Sequence, residues 1–246
     1  MSPIYVPGKV TLANDYVPVD PDLSNVSLLL HGDGADGSTT IVDSSPSPKS
    51  VTAVGNAQVS TAQSKFGGAS LLFDGTGDAA TVPNSLDFRL NGDFTVELWV
   101  YPVNLINERY FLSHYDYGSS QRDWRFGVSA ATGHLHFQFL SPNGTAANQI
   151  NANASLTEGV WQHIAVSKSG SISRIFINGV QRASTTSLID LGGSSASLSV
   201  GSLLNNGTPD YGVDAYIDEV RITKGVARYT SNFTPPTAAF PDIESR

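Results

Sequence analysis

Apolar and polar positions alternate with period two along much of the chain. The clearest run is Phe94-Thr-Val-Glu-Leu-Trp-Val-Tyr101, where Phe94, Val96, Leu98 and Val100 share one face and Thr95, Glu97, Trp99 and Tyr101 the other. Similar runs predict strands over 26–31, 71–75, 79–82, 109–114, 124–129, 134–140, 149–154, 160–168, 171–178, 197–201 and 216–223. A short strand ending at Asp43 and one or two strands over 51–60, broken at Gly55-Asn56, complete the set. Asn178-Gly179 predicts a hairpin, because a type I′ turn needs positive φ at both central residues. No stretch holds a 3.6-residue apolar period past three turns, and the one helical feature expected is a turn near 225–228. About a dozen short strands with turn signals between them predict an all-β, two-sheet antiparallel β-sandwich of jelly-roll type. The prolines at 3, 7, 18 and 21 favour an extended N-terminal arm over residues 1–25, followed by the sandwich over 26–240 and a C-terminal tail over 241–246.

Composition narrows the function. The chain has 246 residues, with 14 basic and 22 acidic side chains and a net charge of −8. That balance offers no basic face for nucleic acid. No apolar run approaches the ~20 residues of a membrane helix, and no signal peptide is legible in the first 25 residues. There is no cysteine, which excludes disulfides, thiolate metal sites and thiol catalysis.

Five segments, in this order, carry a family resemblance: Lys65-Phe-Gly-Gly-Ala-Ser-Leu-Leu-Phe-Asp-Gly75, Asp93-Phe-Thr-Val-Glu-Leu-Trp-Val100, Gly159-Val-Trp-Gln-His-Ile-Ala-Val166, Ile175-Phe-Ile-Asn-Gly179 and Tyr216-Ile-Asp-Glu-Val-Arg-Ile222. Together they resemble the laminin-G-like branch of the concanavalin-A-like lectin/glucanase superfamily. The resemblance implies a two-sheet jelly roll, which does not by itself fix function. Domains of this variety are similar to ones in phage structural proteins and secreted bacterial surface proteins, and Thr223-Lys-Gly-Val-Ala-Arg-Tyr-Thr-Ser-Asn-Phe-Thr-Pro-Pro236 looks like phage-encoded members. The function expected on that ground is a non-catalytic virion protein of a bacteriophage, a capsid decoration or tail-fibre subunit. It would be assembled in the host cytoplasm as a homo-oligomer, with a trimer favoured, and would contact other virion proteins through the arm. The alternative is a lectin module, bacterial and extracellular, that recognises glycans.

No enzyme is expected. The superfamily's glucanases resemble one another in a Glu-x-Asp-x-x-Glu strand, and the comparable strand here offers only Glu97. Asp218 and Glu219 are adjacent, so a regular strand would send them to opposite faces. His134 and His136 share a strand face and read as a sheet-surface pair, and His163 as a packed structural histidine.

Asp33, Asp36 and Asp43 crowd the loops after the first strand, and the resemblance places those loops beside Asp218 in the closing strand. Two readings stand. The four carboxylates hold a structural Ca²⁺, with Gly32, Gly34 and Gly37 letting the backbone wrap closely. Or they mark turns, and Asp218 accepts hydrogen bonds from the loop. For a glycan, the candidate exposed groups are Tyr115, Tyr117, Trp124, Asn205 and Tyr211, since sugars take aromatic stacking plus amide hydrogen bonds.

Overall fold

A computed structural model describes residues 19–140, 147–186 and 193–242. The predicted arm lies within the described residues only from position 19 onward, and the tail only to position 242.

Seventeen strands occur among the described residues. In chain order they are β1 (Val26–Leu30), β2 (Thr52–Val54), β3 (Gln58–Ser60), β4 (Ser70–Asp74), β5 (Ala79–Val82), β6 (Phe94–Asn104), β7 (Arg109–Asp116) and β8 (Gln121–Val128). They continue with β9 (His134–Leu140), β10 (Ala147–Ser155), β11 (Gln162–Ser169), β12 (Ile172–Ile177), β13 (Val180–Thr185), β14 (Leu198–Val200), β15 (Leu203–Asn205), β16 (Thr208–Asp210) and β17 (Asp214–Lys224). One sheet has eight strands in the order β13-β12-β11-β6-β17-β4-β3, with β1 on β17. The other has nine, in the order β10-β9-β8-β7-β14-β5-β2, with the β15–β16 hairpin beside β7.

The two sheets bury one continuous core between them. Phe94, Val96, Leu98 and Val100 enter it from β6, as their alternation predicts, and meet Phe126, Phe137 and Phe139 from the facing sheet. Asn178-Gly179 forms the predicted hairpin turn, with φ of 51° and 73°. The long crossovers that bring β17 between β6 and β4 make the topology a jelly roll.

Four local expectations are corrected. The strand predicted to end at Asp43 does not form; that carboxylate instead accepts from the N–H groups of Leu29, Ser45 and Lys49, which curls the chain. The turn near 225–228 is a bend with Gly225 at φ 87° rather than a helical turn, and the Thr95 hydroxyl donates to the Val226 carbonyl and accepts from the Arg228 N–H. Residues 203–210 form a hairpin that alternation did not reveal, closed by Asn206 and Gly207 at φ 50° and 78°. Asp218 and Glu219 do not face opposite ways. Glu219 has φ 54° within a β-bulge, between the Asp218–Trp99 and Arg221–Glu97 pairs. Ile217 and Val220 both enter the core, so the two carboxylates between them both turn away from it.

Candidate functional site

The outer faces of the two sheets are built differently. On the eight-stranded sheet, the chain after β17 runs back across the outer face. Tyr229 and Phe233 stack at 3.6 Å and cover His163 and Phe176. Beneath them Glu97 is fully buried. It pairs with Arg221 (2.8 Å), accepts from the Tyr229 hydroxyl (2.7 Å) and meets His163 Nε2 (3.1 Å). Burial alone would raise this carboxyl, but the Arg221 charge, then His163 and Tyr229, hold it down at about 2. Asp20 joins the network through Arg221 and Arg228, and Leu23 packs with Val26, Leu29 and Phe240. Residues 20–23 of the predicted arm are therefore part of the folded body.

The nine-stranded sheet presents polar groups instead. Register places Ser113, Arg125, Gln138 and Gln149 side by side across β7, β8, β9 and β10. Arg125 Nε donates to Gln138 (2.6 Å), and the Gln138 amide donates to Gln149. The next row holds Gly127, His136 and Asn151. Of these, Gln138, Gln149, His136 and Asn151 line a groove of about 350 Å³ together with Glu108 and His134. Gly127 has a geometric reason: a Cβ there would stand 2.7 Å from the Tyr110 ring and 2.1 Å from the Arg109 carbonyl oxygen. Its absence lets the Tyr110 ring lie beside His136. Burial, then the Arg125 charge, push His136 down to about 4, so its imidazole is neutral at pH 7.

Arg125 links the groove to an aromatic cluster. Its guanidinium lies over Tyr110 (4.7 Å) and Tyr115 (5.2 Å). Tyr211 stands against Tyr110 and Tyr117, and the Tyr117 hydroxyl donates to Asp210 (2.6 Å). That hydrogen bond pushes the Tyr117 phenol up to about 12. Burial would raise Asp116, but the N–H groups of Ser119, Gly207 and Asn206 hold it low and fix the turn that carries Asn205.

Four of the five glycan candidates, Tyr115, Tyr117, Asn205 and Tyr211, therefore come together beside β7, though Tyr115 is buried at 6% exposure rather than exposed as expected. Trp124 does not. It is fully buried, stacks on Phe137 at 5.7 Å and donates its N–H to the Phe88 carbonyl (2.8 Å). Position 124 alternates in phase with Phe126 and Val128, a signal that could have assigned it to the core. Arg125, Gln138, Gln149 and Asn151 were missed. Long polar side chains on an outer face look like ordinary solvated surface until cross-strand register is known.

The four aspartates of the calcium reading do not gather as a set. Asp36 accepts from the Thr61 N–H, and both Asp43 oxygens are taken by backbone and Ser45 donors. Asp33 and Asp218 do lie within one electrostatic field. The Asp33 carboxylate lies over Gly67, where a Cβ would stand 1.9 Å from Oδ1. Asp218 Oδ2 accepts from the N–H groups of Lys65 and Phe66, while Oδ1 is buried without a partner. Burial pushes the Asp218 carboxyl up to about 7 against those two donors. Glu219 is occupied by His31 (2.9 Å) and the Phe240 N–H (2.6 Å). Among the described residues, no group of three or more His, Cys, Asp or Glu is placed to hold a metal ion. The fit to a calcium ion thus rests on two carboxylates, one of them with a free oxygen.

A lectin-type jelly roll with an open polar groove is the class of protein that this fold and site define. A family model described as Concanavalin A-like lectin/glucanases superfamily (Laminin_G_3) matches residues 74–228, and the chain belongs to that superfamily. Among solved structures, it is similar to domain 4 of AbnA, a GH43 extracellular arabinanase from Geobacillus stearothermophilus, in complex with arabinotriose. The identity is 20%, the TM-score 0.59, and the match covers 82% of this chain and 94% of that one. It is also similar to the botulinum neurotoxin serotype D binding domain, at 14% identity and TM-score 0.61 over 83% of this chain and 49% of that one. The binding domain of botulinum neurotoxin DC in complex with SialylT matches at 15% identity and TM-score 0.62, over 83% and 49% of the two chains. The chain thus spans about half the length of the neurotoxin binding domains, and likeness at these identities concerns the fold alone. No curated protein matches.

Proposed function

We propose that this protein is a non-catalytic glycan-binding module whose site is the outer face of the nine-stranded sheet. The observation that carries this reading is the cross-strand row Arg125–Gln138–Gln149, whose two amides line a groove of about 350 Å³ and whose guanidinium reaches a neighbouring tyrosine cluster. Planar amides and a guanidinium in a fixed row match the paired hydroxyls of a sugar, and Tyr117 and Tyr211, the two tyrosines of the cluster that reach solvent, offer faces to its C–H edges. The absence of catalysis is supported by Glu97, the one acid of the central strand, which is buried in an ion pair and out of reach of a substrate. Screening the protein on a glycan array tests the reading. Saturable binding that falls at least about tenfold in Gln138→Ala is expected; no hit at high protein concentration overturns it.

The setting we propose is a bacteriophage particle, in which the module is a capsid decoration or tail-fibre subunit, oligomeric and with a trimer favoured. Its support is the likeness of 223–236 to phage-encoded sequences. Antibody labelling of purified particles in electron micrographs tests it, and unlabelled particles count against it. A structural calcium ion, held by Asp33 and Asp218 with backbone carbonyls, would neutralise the unpaired Asp218 oxygen. It is tested by the effect of EDTA on the melting temperature, and an unchanged melt counts against it.

A further inference from the structure

The chain after β17 covers only half of the eight-stranded sheet. Beyond it, three neighbouring strands carry a second aromatic group: Tyr216 on β17, Tyr101 on β6 and Trp161 immediately before β11. Their neighbours Ala215, Ile217, Val100 and Ile164 enter the core, so the three rings stand outward, and each is half-buried. Tyr101 is the middle ring. Its centroid lies 5.8 Å from Trp161 at an interplanar angle of 58°, and 6.0 Å from Tyr216 at 78°. The rings therefore make two angled corners rather than a flat plate. Val103, two residues after Tyr101, and Val160, next to Trp161, are exposed apolar side chains at 45% and 47%.

The charge around these rings is negative. Asp214 precedes Tyr216 by two residues on the same outer face. Glu158 accepts from the Leu105 N–H and adjoins Gly159, where a Cβ would stand 3.8 Å from the Tyr101 hydroxyl. Asp214 feels the charges of both Asp74 and Glu158, with Arg109 as the opposing group. Three acids against one base, around an aromatic corner, favour a cation.

We propose that the Tyr101–Trp161–Tyr216 corner binds a quaternary ammonium group, a second site independent of the glycan groove. The negative faces of the rings attract a cation, and the acids at the rim add long-range attraction. A methylated nitrogen suits the corner better than a primary ammonium. The primary ion is strongly hydrated and needs hydrogen-bond acceptors, which the ring faces do not supply. A neutral sugar suits it less, because the angled rings give no flat stacking surface.

The test titrates the whole protein with tetramethylammonium and choline chlorides and follows tryptophan fluorescence. Trp99 and Trp124 are 5% and 0% exposed, so a change reports on Trp161. A saturable response to both salts is expected, with none to sodium chloride, glucose or glucosamine at the same concentrations. By calorimetry, affinity should fall at least about tenfold in Trp161→Leu and severalfold in Asp214→Asn, whose melting temperature serves as the folding control. No saturable response to either methylated cation, an equal response to glucose or glucosamine, or undiminished affinity in a folded Asp214→Asn overturns the proposal. The glycan-array result does not depend on this corner, so the two readings fail separately.

Discussion

The outer faces of the two sheets follow the same strand alternation and meet opposite fates. On β6 the outward residues Thr95 and Glu97 are buried because residues 225–240 lie over them, and Trp99 is buried beneath Lys65 and Phe66. On β8 to β10 the outward residues Gln138 and Gln149 line an open groove, with Arg125 half-buried beside them. The difference is set by a segment up to about 130 positions away in sequence. A covered face can use a buried charge for cohesion, since each partner is supplied within the fold. An open face keeps its polar groups in water and can exchange that water for a ligand.

The largest expected effect lies on the covered face. Glu97→Gln leaves Arg221 buried beside a neutral amide, and losing one partner of such a pair costs about 3–5 kcal/mol. Urea unfolding should show it as a lower midpoint; an unchanged midpoint would mean that this face is not sealed. Acid should act in the same direction. The folded Glu97 carboxyl is depressed to about 2 from 4.5, so its contribution is present above pH 4.5 and is lost as pH falls toward 2.

Asp218 should give the opposite limb. Its folded carboxyl is raised to about 7 from 3.8, so its contribution is present below pH 3.8 and is lost as pH rises through 7. Melting curves between pH 4 and 8 should flatten in Asp218→Asn. Added calcium should flatten them in the native protein if the ion takes the unpaired oxygen. A limb of equal slope in Asp218→Asn would show that another group titrates there.

Smaller effects belong to the open face. Gly127→Ala places a methyl against the Arg109 carbonyl and the Tyr110 ring, an overpacking that costs about 1–3 kcal/mol. It should also weaken glycan binding by displacing Tyr110 from beside His136, which lines the groove. Gln149→Ala removes the exposed end of the amide row and should change stability by no more than about 0.5 kcal/mol while lowering affinity. If Gln149→Ala leaves glycan affinity unchanged, the row is surface and the site lies among the tyrosines.

The alternation in 94–101 was enough to assign Phe94, Val96, Leu98 and Val100 to the core, and Asn-Gly at 178–179 enough to place a hairpin. Both are local signals with a fixed period or a fixed backbone requirement. The second hairpin, at 203–210, has strands of only three residues and shows no period. The relation of Asp218 to Glu219 was misread because a bulge is a property of the pair of strands, set by register against Trp99 and Glu97. Of the glycan candidates, Tyr117 and Tyr211 reach solvent, as expected of aromatic groups beside turns, whereas Tyr115 is buried on β7. Trp124 was misread as well, since only packing distinguishes a ring that meets water from one that meets Phe137.

β17 occupies the middle of its sheet, hydrogen-bonded to β6, β4 and β1, and it is the last strand in the described chain. A nascent chain still on the ribosome cannot complete that sheet until residue 224 has emerged from the exit tunnel. Any product cut short before β17 is left with β1 unpaired and the edges of β4 and β6 bare, open to pairing with other molecules. A fragment that ends before β17 therefore exposes strand edges that the whole sandwich covers.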